Sequence, residues 1–179
     1  MLLCFACAQV QAAEAIEITH AHIESTEDGY RLASTFAFEL NQELEAALQH
    51  GVSLTFKTEI SLTRPRWYWK DERAVETSQT SRIAYDVLTR QYSVRVTSGS
   101  QRSIQQTFPT LEDAMVLIHR PSRWLIASRG QLKTGETYNV QLRMFMDRET
   151  FSKPMQVNAL NNSDWRLNSR EKRFNYRAE

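Results

Sequence analysis

The sequence predicts an antiparallel β-sandwich of immunoglobulin-like character with two short helices. Three observations lead there. Residues 52–62 alternate: Val52, Leu54, Phe56, Ile60 and Leu62 share one parity, and Ser53, Thr55, Lys57, Glu59 and Ser61 the other. A strand with one apolar and one polar face belongs to an antiparallel sheet, because strands of parallel sheets are covered on both sides. The same alternation returns in several short segments separated by turn residues. All five glycines fall in turns or caps, none in a strand centre. An open or closed barrel gives the same local signals and is the alternative.

Residues 1–15, MLLCFACAQVQAAEA, form an apolar run followed by small residues. That is the pattern of the latter part of a secretory signal peptide, with cleavage expected near residues 12–15. The basic region that normally leads such a peptide is missing, so a longer or clipped precursor is expected. Both cysteines, Cys4 and Cys7, lie inside this segment. A mature chain without thiols has no disulfide framework and suits an oxidising compartment, here the bacterial periplasm. No later window of about 18 residues is apolar enough to span a bilayer.

Residues 16–26 read as the first strand, and Asp28-Gly29 as a tight turn. A second strand over 30–40 puts Tyr30, Leu32, Phe36, Phe38 and Leu40 on one face. Asn41 can cap a helix, Leu44, Ala47 and Leu48 share one helical face, and Gly51 ends it. The long alternating strand follows and stops at Arg64-Pro65, or reaches a sheet edge there, because proline cannot donate to a ladder. Residues 80–96 hold two parities, which requires a turn or bulge near 88–91. A strand over 102–108 leads to Pro109-Thr110 and a helix over 111–119. Ala114, Met115, Val116, Leu117 and Ile118 make that helix apolar nearly all round, so it is expected to be buried. Strands follow at 124–127 and 137–147, and 155–160 is compatible with one more. The expected organisation is a single domain over 16–160, then a polar and finally basic tail over 161–179.

A net charge of +1 argues against a nucleic-acid binder, which needs a strongly basic face. No nucleophile elbow, zinc-protease helix or phosphate loop is present, and no cofactor motif. His20, His22 and Glu24 alternate along a strand and share one face, so they are weak metal candidates; an exposed polar face explains them as well. His50 and His119 sit where a helix C-terminus favours a cation. Glu112 and Asp113 lie in a first helical turn, where acids are ordinarily stabilising. The densest cluster is Arg64, Arg66, Trp67, Tyr68 and Trp69, with Lys70 and Arg73 beside it. Strand parity would send Trp67 and Trp69 towards the core, with Arg66, Tyr68 and Lys70 outward. The functional reading is an edge strand presenting Trp, Tyr and Arg, the residue types that dominate binding hot spots. A split is expected, with Trp69 in the core and Tyr68 with Arg66 at the surface.

Three segments carry a resemblance: EAALQHGVSLTF running into RPRWYW, then YDVLTRQYSV, then YNVQLRMFMD followed by KPMQVNAL and SDW. Together they resemble a proteobacterial family of exported proteins defined by domain of unknown function 4390. The resemblance implies a periplasmic or membrane-facing location and no assigned activity. Members of that family are often encoded beside a membrane sensor histidine kinase, which implies an envelope partner. The ending SREKRFNYRAE is more basic than the family's usual one. The reading that results is a non-enzymatic periplasmic accessory or interaction module, partnered by an envelope or inner-membrane protein such as a sensor kinase. A metal-dependent or triad hydrolase, and a small-ligand or lipid binder, are the alternatives from other classes.

Overall fold

Nine strands and three helices account for the chain described by the computed structural model, which covers residues 16–68, 70–99, 102–121 and 124–179. In order they are β1 (Glu17–Thr26), β2 (Gly29–Ala37), α1 (Gln42–Gln49), β3 (Leu54–Arg64), β4 (Glu72–Asp86), β5 (Gln91–Ser98) and β6 (Arg102–Phe108). Then come α2 (Leu111–His119), β7 (Trp124–Ser128), β8 (Thr137–Met146), α3 (Lys153–Asn161) and β9 (Lys172–Arg177). They form two antiparallel sheets, a small one ordered β1-β2-β7 and a large one ordered β6-β5-β4-β3-β8-β9. The architecture is that of a β-sandwich, and neither sheet closes into a barrel.

β3 is the hub of the large sheet, paired along its length with β4 on one side and β8 on the other. The parity read from its sequence holds: Leu54, Phe56, Ile60 and Leu62 are buried, and Lys57, Glu59 and Ser61 are only half-covered. Thr55 departs from it and is buried. Asn41 caps α1 as its residue type predicts, its Oδ1 accepting from the Leu44 amide at 2.9 Å. Thr110 does the same for α2, accepting from the Asp113 amide at 3.1 Å. Gly29 is required where it stands. Its φ is +144°, and a Cβ there would lie 2.2 Å from the Ala127 carbonyl oxygen of the neighbouring strand.

The interior is two apolar clusters. One gathers Phe36, Phe38, Leu48, Phe56, Ile83 and Ile118 beneath α1 and α2. The other gathers Leu32, Ile60, Leu62, Trp124, Tyr138 and Leu142 between the sheets. Between Phe56 and Ile60 the inward-facing row of the large sheet turns polar: Thr58 pairs with Gln79, and Gln79 with Ser98. Thr58 and Gln79 are both buried, and the Gln79 Nε2 donates to the Ser98 Oγ at 2.7 Å.

Four expectations are corrected. Residues 155–160 are part of α3, not a strand. Met155, Val157 and Ala159 fit a period of two, but Val157 is 58% exposed while Ala159 is fully buried and Met155 packs on the core, so the working period is helical. Pro154 falls in the first turn, where its missing amide is harmless. α2 is not buried all round, since Val116 is 59% exposed. β4 begins at Glu72, well before residue 80. Its first half carries polar Thr77 and Gln79 at inward positions, so no apolar alternation marks it. Finally, the basic ending is no tail outside the domain. β9 pairs with β8, placing Phe174 opposite Val140 and Tyr176 opposite Tyr138. Lys172 sends its Nζ to the Ile18 carbonyl of β1 at 3.0 Å, so a charged residue ties the two sheets together.

Candidate functional site

The basic-aromatic cluster lies where β3 turns into β4. Pro65 ends β3, and the chain crosses to Glu72 through a turn that includes Trp67 and Tyr68. β3 and β4 are central strands, so the cluster is the tip of a hairpin and not an edge strand. Strand parity therefore does not apply to it. Trp67 is 95% exposed and Tyr68 65% exposed, which overturns the inward placement of Trp67. Tyr68 is at the surface, as expected. Trp69 lies outside the described residues. The two exposed rings meet edge to face, with centroids 5.4 Å apart. That contact orients the pair without covering it.

Beneath the rings is an ionic clamp. The Glu72 carboxylate accepts from the guanidinium groups of both Arg64 and Arg66. Arg64 also stands 3.8 Å from Glu136, and the Arg66 amide donates to the Asp71 Oδ1 at 3.3 Å. The hydrogen bonds from Arg66 and then Arg64 hold the Glu72 carboxyl below the usual carboxylate range. The cluster thus divides its labour. Arg64 and Arg66 face the protein and staple the base of the turn, while Trp67 and Tyr68 face water. Glu72 went unnoticed in the sequence. The available signal was an acid placed opposite Arg64 across a proline-containing turn, as the register of this hairpin confirms.

His20, His22 and Glu24 do come together, on the outer face of β1. His20 Nε2 and His22 Nδ1 are 2.8 Å apart, and His22 Nε2 lies 2.9 Å from Glu24 Oε1. With Glu24 ionised, His22 donates to it and accepts from His20, so both nitrogens of His22 are engaged. Among the described residues no group of three or more His, Cys, Asp or Glu is arranged to hold a metal ion. His50 closes α1, its Nδ1 lying 2.6 Å from the Ala46 carbonyl. His119 ends α2 with its ring edge-on to Phe38 at 4.7 Å. Desolvation lowers its pKa and outweighs a backbone hydrogen bond at Phe38.

The outer face of the large sheet holds an open depression of about 560 Å³, lined by residues including Lys57, Glu59, Arg73, Glu76 and Arg143. Its charges are spent on one another. Glu59 receives Lys57 at 2.8 Å and Arg143 at 2.5 Å, and Arg73 meets Glu76 at 2.6 Å. Burial alone would raise the Glu59 carboxyl, but these two hydrogen bonds hold it below its ordinary value. This surface is a self-neutralised ion network rather than a charged trap. Among the described residues, no helix is long and apolar enough to cross a membrane. No curated protein and no solved structure matches the chain. The family model described as a domain of unknown function, DUF4390, matches residues 13–175, from before β1 into β9, and the chain belongs to that family.

Proposed function

We propose that the protein is a non-enzymatic interaction module of the bacterial envelope that docks a partner protein through Trp67 and Tyr68. One observation carries the reading: a tryptophan with 95% of its surface in water, stacked edge-on to a tyrosine, on a turn pinned by two arginines. Leaving so much aromatic surface wet forgoes burial worth roughly 25 cal/mol per Å². A preorganised aromatic pair recovers that free energy when a partner covers it, at little cost in side-chain ordering. The N-terminal apolar segment and the chain's lack of later cysteines support export to the periplasm. The resemblance drawn from the sequence points to an inner-membrane sensor kinase as the partner to try first.

The test uses Trp67→Ala and Tyr68→Ala separately. Each should leave the thermal midpoint within a degree or two of the parent, because neither ring is packed in the core. At least one should weaken recovery of the envelope partner by about 2 kcal/mol, roughly thirtyfold. Normal recovery by both variants sinks the proposal. Export is tested apart from docking, by N-terminal sequencing of the product made in a Gram-negative host. Processing near residues 12–15 is the expected result, and an intact Met1 on cytosolic protein would remove the periplasmic assignment.

A further inference from the structure

A sandwich of two open sheets has four edges, and three of them are guarded. β9 carries Lys172, Arg173 and Arg177. β1 is kinked by a register shift between Ile18 and His20, and the Lys172 ammonium occupies its Ile18 carbonyl. β7 has five residues, and its pairing with β2 is broken between Tyr30 and Arg31. Charges, kinks and short strands are the ordinary means of preventing edge-to-edge pairing.

β6 has only one charge, Arg102 at its first position, and no kink. Its pairing with β5 is unbroken from Tyr92↔Phe108 to Ser98↔Arg102, and among the described residues its other side has no partner strand. Residues 103–108 read SIQQTF, without charge, proline or glycine. Residues 103–107 are exposed on both faces, with Ile104 at 58%. α2 packs against β5 and β6 and leaves Val116 exposed on its surface. Among the described residues the edge therefore offers unpaired strand backbone, the Gln106 amide and the exposed Ile104.

We propose that β6 is the interface between two copies of this chain, paired antiparallel about a two-fold axis to give one continuous sheet. Charge selects this occupant. Antiparallel self-pairing sets SIQQTF against SIQQTF, so no like charges meet; the Gln106 amide can bond across the junction, while the Gln105 Oε1 already accepts from the Arg95 guanidinium of β5 at 2.7 Å. Recognition of a different protein ordinarily uses opposite charges to choose it, and residues 103–108 supply none. A single seven-residue strand pair is small for an interface, so the dimer is weak and concentration-dependent.

Sedimentation equilibrium of the full chain across the micromolar to millimolar range provides the test, with Ile104→Lys, Thr107→Lys and Trp67→Ala run beside the parent. The two lysine variants place a charge on each face of β6; in this register position 104 faces position 107 of the other copy, so either lysine puts a charge in the junction against a neutral side chain. The expected result is a parent mass that rises to twice the monomer, and a dimerisation constant at least tenfold weaker in both lysine variants. Their circular dichroism and thermal midpoints should stay near the parent's, because both positions are exposed. A monomer at all concentrations overturns the proposal. So does a dimer indifferent to both lysines, or one lost only in Trp67→Ala, which would move the contact to the aromatic turn.

Discussion

Phe56 is fully buried on β3, its ring 5.1 Å from that of Phe38, while the next residue, Lys57, reaches out to Glu59. Truncating Phe56 to alanine opens a cavity in a packed interior and should lower the unfolding free energy by about 3–5 kcal/mol in urea titration. Lys57→Ala removes one exposed ion pair and should change it by less than about 1 kcal/mol. Equal losses at the two sites would mean that the register of β3 is wrong. His119 makes a pH-dependent prediction. Burial lowers its folded pKa below the unfolded value of about 6.5. As pH falls below that value, the unfolded chain takes up the proton first, so stability is full above it and declines until the folded histidine also titrates. His119→Gln should flatten this decline in a comparison of denaturation midpoints between neutral and mildly acidic pH. An unchanged slope would show that the ring is not desolvated.

At the scale of elements, the β3–β4 turn depends on Glu72. Its folded pKa is depressed, so the clamp is complete above the ordinary carboxylate value of about 4.3 and is lost as pH falls through the lowered one. Glu72→Gln at neutral pH should raise amide exchange in residues 65–71, and the parent should approach the variant only in acid. β9 is the other element with a sharp expectation. Phe174→Ala should cost about 1–2 kcal/mol, because the ring packs half-buried on the inter-sheet core; a solvated tail would give nothing. These two elements also show where sequence reading fails, against others where it succeeds. β3, β8, α1 and α2 were legible because alternation or capping announced them locally. β9 was hidden because Lys172 and Arg173 dilute its apolar signal, and because its strand character comes from β8, far away in sequence. Trp67 was misplaced for a related reason. Parity describes strands, and Pro65 had already ended one. The sequence marks the cluster as a candidate binding feature and places Tyr68 at the surface; that arginines hold it and Trp67 is presented with Tyr68 is not legible there, because Glu72 acts across the turn.

The whole molecule has a polar row, buried Thr58 and Gln79 with half-buried Ser98, between two apolar clusters. The Gln79 Oε1 is buried there without a hydrogen-bond partner among the described residues. Replacing Gln79 by leucine together with Ser98 by alanine removes both the orphan and its neighbour, so the double variant should match or exceed the parent in stability by calorimetry. A loss above about 2 kcal/mol would mean that the row is fully satisfied and structural. The last consequence concerns time rather than energy. Ile16 bridges Ser169, and Lys172 reaches the Ile18 carbonyl, so the first strand is locked in place by nearly the last residues of the fold. A chain emerging from a ribosome, or threaded N-terminus first through a narrow pore, can pair β1 with β2 early, but it cannot make these two ties until residues 169 and 172 are through. Until then the first strand lacks its link to the C-terminal strand, and that link between the two sheets is the last to close.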